Sequence, residues 1–128
     1  MEKNLAIEIC QKKMAHLYYQ KRVCRCLTSK VISLAKLVSG IPGTNSRYIE
    51  YQSYLDELNK VWKKLKEKET LVFDEMITAG VKAIEIDDVM RKIESYPVDE
   101  YAIYQLYPLN TGEIEENKRR IWSIGYDL

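Results

Sequence analysis

Apolar residues recur every seven positions in the first third of the chain. The repeat consists of Cys10, Leu17, Cys24, Val31 and Val38, with Leu27 and Leu34 three positions after two of its members. Because an α-helix turns by roughly 100° per residue, this spacing keeps the apolar side chains on one face. The pattern predicts one long helix with a single apolar seam.

A second apolar repeat follows after a short interruption at residues 39–46. Within the interruption, Gly40 suits the C-cap of the first helix, and Pro42-Gly43 suits a turn. Asn45 or Ser46 suits the N-cap of the next helix. The second repeat consists of Tyr48, Tyr51, Leu55, Leu58, Trp62, Leu65, Val72, Met76 and Ala79, and Glu69 interrupts it. Two long helices joined by a short turn predict an antiparallel, coiled-coil-like hairpin over about residues 3–79.

The polar residues within the two seams predict how the hairpin is aligned. A turn centred near residue 43 places Glu69 opposite Leu17, and the polar seam residues Lys13 and Gln20 lie one turn to either side of Leu17. We therefore expect a structural polar layer of Lys13, Gln20 and Glu69, with His16 as a further candidate, that fixes the register. The alternative is that Glu69 is a functional carboxylate in a pocket.

Three short helices are predicted after Gly80. The first would be capped by Asp87 and run through Val89, Met90 and Ile93; the second would start at Pro97 and carry Tyr101, Tyr104 and Tyr107; the third would be capped by Thr111 and end at Gly125. The predicted fold is therefore all-α. It is a single domain, residues 1–128, in which a cluster of short helices at about 84–128 packs on one end of the hairpin.

Charge is balanced over the chain but unevenly distributed. The formal net charge is +1, which argues against a polybasic nucleic-acid wrapper and an acidic DNA mimic. Residues 1–49 hold nine basic and two acidic residues, whereas residues 50–128 hold 11 basic and 17 acidic ones. Either the basic helix lies on acidic neighbours, or its basic face is exposed to a phosphate backbone or an acidic partner. The candidate binding residues on this face are Lys12, Lys13, Lys21, Arg22 and Arg25.

Few residues suit catalysis or metal binding. His16 is the single histidine, and Cys24 and Cys26 point to different sides of one helix, so neither a zinc site nor a catalytic triad is predicted. The glycines at 40 and 43 lack the lysine and hydroxyl residue of a phosphate-binding loop. We therefore expect a non-enzymatic protein without a cofactor.

Tyrosine is the most abundant aromatic residue, with ten copies against two tryptophans and one phenylalanine. Tyrosine is enriched in protein interfaces because it combines a large apolar ring with a hydroxyl group that tolerates water. Tyr101, Tyr104, Tyr107 and Trp122 are therefore candidate partner-binding residues. The alternative is that the tyrosines form the core side of short helices.

No apolar run is long enough to span a membrane, and the N-terminus does not have the pattern of a signal peptide. From these two observations we expect a cytoplasmic protein that does not act at a membrane.

The order of features along the chain is a helix that ends before a loop containing Ser39-Gly40, a long heptad helix, Ile93-Glu94-Ser95-Tyr96, Tyr101 with Leu106-Tyr107, and finally Ile121-Trp122-Ser123-Ile124-Gly125-Tyr126-Asp127-Leu128. This order, over much of the chain, resembles small phage-encoded transcription regulators of the ArpU type. In that family a helical region precedes a helix-turn-helix, and the final segment is similar to its opening. The sequence stops at Leu128, before a recognition helix. The resemblance implies a phage or prophage origin more than DNA binding, and thus the cytoplasm of a host cell.

Two functions from different classes follow from these features. The first is a small helical interaction protein that binds and modulates or inhibits a host protein machine, of which anti-defence and anti-CRISPR inhibitors are one class. The second is a nucleic-acid-binding transcription regulator that uses the basic first helix. The partner is then a host protein, a protein–nucleic-acid complex or nucleic acid. A homodimer through the heptad helices is compatible with both.

Overall fold

The computed structural model of the protein describes residues 3–126. Within that range the chain forms five α-helices and no strand. The helices are α1 (Lys3–Val38), α2 (Asn45–Thr78), α3 (Ala83–Glu94), α4 (Glu100–Leu106) and α5 (Ile114–Ser123). The predicted all-α architecture, a long hairpin followed by short helices, is confirmed.

The hairpin consists of α1 and α2, each about 50 Å long, packed side by side. Gly40 ends the first helix with a positive φ of 77°, which a residue without Cβ adopts without strain. The Thr44 hydroxyl donates to the carbonyl of Val38 at 2.8 Å and so ties the turn to α1. Thr44 also occupies the N-cap position of α2, one residue before Asn45 and two before Ser46, the two predicted caps.

The apolar face of α2 differs from the predicted heptad seam in its first half. Tyr54 and Val61 are buried there, whereas Tyr51 and Trp62 are only partly buried and Tyr48 is exposed. The reason is that α5 also packs on this half of α2, so the core-facing side is rotated relative to a seam that meets α1 alone. In the second half, the predicted residues Leu65, Val72 and Met76 are buried.

The short helices begin at other residues than predicted. Helix α3 starts at Ala83, four residues before Asp87, and its first turn is closed by Glu85, whose carboxylate accepts the backbone N–H of Lys82 at 3.0 Å. Helix α4 is capped by Asp99, whose carboxylate accepts two backbone N–H groups. The N-cap position of α5 is Glu113 and not Thr111. Asp87 and Thr111 are therefore not N-caps as predicted; the side chains of Glu85 and Asp99 bond the first backbone N–H groups of α3 and α4 instead.

The short helices extend along the hairpin and do not sit on one end of it as predicted. Helix α3 returns along α1, where Lys3 pairs with Glu85 at 2.8 Å, and α4 packs on α1 further towards the turn. The chain then reaches α2, where Arg47 donates to the Thr111 hydroxyl at 3.0 Å, and α5 runs back along α2. Amphipathic helices bury more apolar surface along a hairpin than at its tip, which explains this path.

Within residues 3–126 no helix has the length and apolarity needed to cross a bilayer.

Candidate interaction surfaces

The basic side chains of α1 that were predicted to bind a partner have intramolecular contacts. Lys13 pairs with Glu75 of α2 at 2.9 Å, and this hydrogen bond raises the pKa of Lys13. Lys12 lies 3.7 Å from Glu8 one turn earlier, and both side chains are largely exposed. The first of the two sequence interpretations, a basic helix lying on acidic neighbours, therefore fits the hairpin geometry.

Lys21 and Arg25 lie over the ring of Trp62. Lys21 Nζ is 5.2 Å and Arg25 Cζ 5.4 Å from the ring centroid, distances at which a cation is attracted to the negative face of an indole. Lys21 also pairs with Glu69 at 2.8 Å, and only about a fifth of either side chain is exposed. This cluster of Lys21, Arg25, Trp62 and Glu69 joins α1 to α2.

Arg22 lies beside this cluster, 3.8 Å from Glu100 of α4. Its Nε is buried and has no hydrogen-bond partner among the described residues. A cavity of about 330 Å³ opens there, lined by Met14, Tyr18, Lys21, Arg22, Arg25, Glu69, Met90 and Glu94. Because three basic side chains meet two acidic ones, the cavity does not strongly favour an anion.

The predicted polar layer of Lys13, Gln20 and Glu69 does not form. Glu69 pairs with Lys21 and Lys13 pairs with Glu75, so the two ion pairs lie on different turns of the hairpin. Gln20 is buried and donates instead to the carbonyl of Ile124 at 2.7 Å, at the end of α5. The prediction failed because it considered α1 and α2 alone, whereas Gln20 faces a third helix.

A buried polar network that the sequence analysis missed connects α2 to α5. Asn117 is 1% exposed, and its amide donates to the Tyr54 hydroxyl at 2.8 Å and to the Asn110 carbonyl at 2.7 Å. The Tyr54 hydroxyl in turn donates to the carboxylate of Glu50. Glu50 and Tyr54 are four residues apart, a spacing that places them on one helix face, but nothing in the sequence pointed to Asn117 as their partner.

The four predicted aromatic residues have different environments. Tyr104 and Tyr107 pack against the core, and the Lys30 ammonium lies 4.8 Å from the centre of the Tyr104 ring. Tyr101 is 71% and Trp122 42% exposed. Tyr104 and Tyr107 thus lie on the core side of their segment, as the alternative interpretation of the tyrosines held, whereas Tyr101 and Trp122 are available to a partner.

Trp122 lies in a shallow groove at the C-terminal end of α5. The groove is lined by Glu115, Lys118, Arg119, Trp122, Ser123 and Tyr126. Lys64 of α2 lies 4.5 Å from the centre of the Tyr126 ring. The groove thus brings together two exposed aromatic rings, those of Trp122 and Tyr126, and aromatic residues are enriched in protein interfaces.

The cysteines show no features of a reactive or metal-binding group. Cys10, Cys24 and Cys26 are free and buried. Burial raises the pKa of Cys24 to about 11, so its thiol is protonated and a poor nucleophile. Among residues 3–126, no group of three or more His, Cys, Asp and Glu side chains is arranged to hold a metal ion.

Comparisons of the chain with models of protein families, with curated proteins and with solved structures find no match.

Proposed function

We propose that this chain is a non-enzymatic helical interaction protein that binds and modulates a protein machine of its host. The observation that carries the proposal is the contrast between its charged and apolar surface residues. Lys13, Lys21 and Arg25 of α1 are engaged with acids and a ring of the same chain, whereas Tyr101 and Trp122 are exposed. Exposed aromatic side chains contribute more to protein interfaces than paired surface charges do.

The proposed partner is a host protein in the cytoplasm, and the proposed source is a phage or prophage, in line with the ArpU-type resemblance. An anti-defence inhibitor, including the anti-CRISPR class, would act in this way. The alternative function, a nucleic-acid-binding regulator, requires basic side chains of α1 to exchange their present partners for phosphates. A homodimer through the heptad helices stays a prediction.

Affinity capture from host lysate tests the proposal. The tagged protein is incubated at low and high salt, with and without nuclease, and the retained proteins are identified by mass spectrometry. We expect one stoichiometric protein that survives both treatments, because apolar contacts depend little on ionic strength while phosphate contacts weaken steeply.

Two substitutions sharpen this experiment. Tyr101→Ser and Trp122→Ser should each lower the amount captured at least about tenfold, in the range measured for interface hot spots. Tyr48→Ser is the control, since Tyr48 is exposed to nearly the same fraction as Trp122 but lies at the start of α2. Capture that disappears with nuclease and salt, and is unaffected by the aromatic substitutions, would replace the proposal with the nucleic-acid alternative.

A further inference from the structure

The end of the hairpin that holds the turn exposes several apolar side chains. We call this end, residues 29–49, the tip. Leu37 is 70% and Ile49 66% exposed, and Ile41 and Tyr48 are exposed as well. Leu37 lies in the last turn of α1, and Ile49 lies about 6 Å from the start of α2. The tip therefore presents apolar surface from both helices and from the turn between them, and such surface is suited to contact with another molecule.

The opposite end of the hairpin also exposes apolar side chains. We call it the open end; it consists of residues 3–8 and 74–88, where the start of α1, the end of α2 and the start of α3 meet. Ile77 is 61% and Ile84 69% exposed, and Leu5 is exposed as well. Each of these three side chains comes from a different helix. The molecule thus has an apolar surface at each end.

The two ends carry opposite charge. The tip holds three basic residues and no acidic one, whereas the open end holds six acidic and two basic residues. The ends lie about 50 Å apart along the hairpin. This distance is several Debye lengths at physiological salt, so the charges of the two ends do not neutralise each other within one molecule.

The basic residues of the tip have no acidic partner among the described residues. Lys36 is exposed and forms no ion pair or hydrogen bond with them. Lys30 lies over the ring of Tyr104, and Arg47 donates to the hydroxyl of Thr111, so neither contact removes the positive charge. The tip is therefore electrostatically suited to an acidic surface.

Three acidic residues of the open end are likewise without a partner. Asp74, Asp87 and Asp88 are exposed and form no ion pair within the part of the chain that the structure describes. The other three acidic residues there pair with lysines of α1; they are Glu8, Glu75 and Glu85. Lys82 is the one basic residue of the open end without an ion pair in the described range. Three carboxylates against one lysine leave this end suited to a basic surface.

We propose that the tip of one copy of this chain binds the open end of a second copy. In this contact the exposed leucine and isoleucine side chains of both ends are buried, and the carboxylates of the open end face the cations of the tip. Two tips, or two open ends, would instead bring like charges together. The inference goes beyond the proposed function and does not depend on it.

A contact between two different ends makes the assembly open. Each bound pair keeps one free tip and one free open end, so further copies can be added. Because the two ends face in opposite directions along a hairpin of about 50 Å, two copies cannot make both contacts at once. The expected product is a chain of copies joined head to tail.

Analytical ultracentrifugation of the full chain over a concentration series is the first measurement. We expect a weight-average mass that rises with concentration and passes the mass of a dimer. The mass of a single chain at every concentration would overturn the proposal. A mass that stops at a dimer would overturn it too, because a closed dimer requires a different contact.

Two variants, each blocked at one end, identify the contact. Leu37→Ser with Ile49→Ser blocks the tip, and Ile77→Ser with Ile84→Ser blocks the open end. All four side chains are more than half exposed, and circular dichroism verifies that the helices are retained. Each blocked variant alone should self-associate at least about tenfold more weakly than the unmodified protein.

An equimolar mixture of the two blocked variants provides the decisive result. The variant blocked at the tip has an intact open end, and the other has an intact tip, so one contact can form between them. We expect a dimer with twice the mass of one chain and nothing larger. If the mixture contains only monomers, or if either blocked variant alone associates as strongly as the unmodified protein, the proposal is wrong.

A charge reversal tests the electrostatic part of the contact. Lys36→Glu should weaken self-association about fivefold, in the range of exposed ion pairs. The matched control is Lys63→Glu, which makes the same change of charge at an exposed position in the middle of α2 and should leave self-association unchanged. Equal effects of the two substitutions would contradict a contact guided by the charge of the tip.

Tyr101→Ser separates this proposal from the proposed function. Tyr101 lies on α4, outside both ends of the hairpin, so the variant should lose captured host protein while its self-association stays unchanged. Weaker self-association of this variant would place the contact on α4 and overturn the head-to-tail arrangement. Failure to capture a host protein with the unmodified chain would overturn the proposed function and leave the head-to-tail contact standing.

Discussion

Tyr54 forms the centre of the contact between α2 and α5. Its ring is buried beside Val61 and Leu58, and its hydroxyl donates to Glu50 while accepting from Asn117. Burial, more than any neighbouring charge, raises the pKa of Tyr54 to about 12. The folded protein thus binds the phenolic proton more tightly than the unfolded chain, in which the pKa is near its ordinary value of 10.

This difference predicts how stability changes in alkali. The Tyr54 proton contributes to the free energy of unfolding. This contribution is fully present below pH 10 and is lost as the pH rises towards about 12, the folded-state pKa. Two pKa units correspond to roughly 3 kcal/mol of unfolding free energy. In a Tyr54→Phe variant this part of the loss should be missing, although the variant is less stable at neutral pH by about 1–3 kcal/mol because Asn117 and Glu50 lose a partner.

Urea denaturation of both proteins over a pH series measures the effect. The other tyrosines and the lysines titrate in both, so the difference between the two curves isolates Tyr54. Parallel curves above pH 10 would show that the phenolic proton of Tyr54 does not contribute as its burial implies.

At the scale of elements, the start of α3 depends on one carboxylate. Glu85 accepts from Lys3 Nζ of α1 at 2.8 Å and from the backbone N–H of Lys82 at 3.0 Å. The pKa of Glu85 is lowered mainly by the hydrogen bond from Lys3 and, second, by the bond from the Lys82 backbone. A single side chain thus closes the first turn of α3 and attaches it to α1.

Glu85→Gln should loosen the first turn of α3, because the ion pair with Lys3 is lost. In the unmodified protein the first turn of α3 should loosen in the same way in acid. The folded-state pKa of Glu85 lies below the ordinary 4.5, so the stability that its carboxylate adds is present above pH 4.5. This added stability disappears as the pH falls through the lowered pKa. Amide hydrogen exchange at residues 85–88 measures it. Asp88→Asn on the same helix is the control and should exchange like the unmodified protein.

The helices themselves could largely be predicted from the sequence, because seven-residue spacing and the glycine-containing turn are local signals. The N-termini of the short helices could not. Asp87 has the right chemistry for a cap, yet α3 begins four residues earlier, where Val81 is buried and Glu85 can reach Lys82. Tertiary contacts, which have no local signature, decided between neighbouring candidates.

The interaction surfaces were harder to predict. The composition predicted that tyrosine side chains would form a partner-binding surface. Periodicity, however, did not separate the exposed Tyr101 from the half-buried Tyr104, three residues later on the same short helix. Gln20 was recognised as a polar residue in a seam, and its partner was assigned to the wrong helix. Both errors arise because each residue's environment depends on the path of α4 and α5 around the hairpin.

At the scale of the whole molecule, Gln20 connects the first helix to the last. Its amide donates to the carbonyls of Ile124 and, at 3.3 Å, Tyr126. Gln20→Leu should lower the free energy of unfolding by about 1–3 kcal/mol, since the buried Ile124 carbonyl then has no donor. Urea denaturation followed by circular dichroism measures the change.

The control for this substitution is Gln52→Leu, at an exposed position of α2. It should be within about 0.5 kcal/mol of the unmodified protein, as most surface substitutions are. Equal stability of the two variants would mean that the hydrogen bonds of Gln20 contribute nothing measurable to the attachment of α5.

The separation of Gln20 from Ile124 by 104 residues also determines the order in which the fold is completed during synthesis. Ribosomes release the N-terminal part of a chain first, and the hairpin depends mainly on contacts between its own two helices. The hairpin is therefore able to form while α5 is still being translated, with the place of α5 open. In that interval Gln20 and Val61, which the end of the α5 segment covers in the complete fold, are open to solvent, and this side of the hairpin is exposed to aggregation until α5 is added.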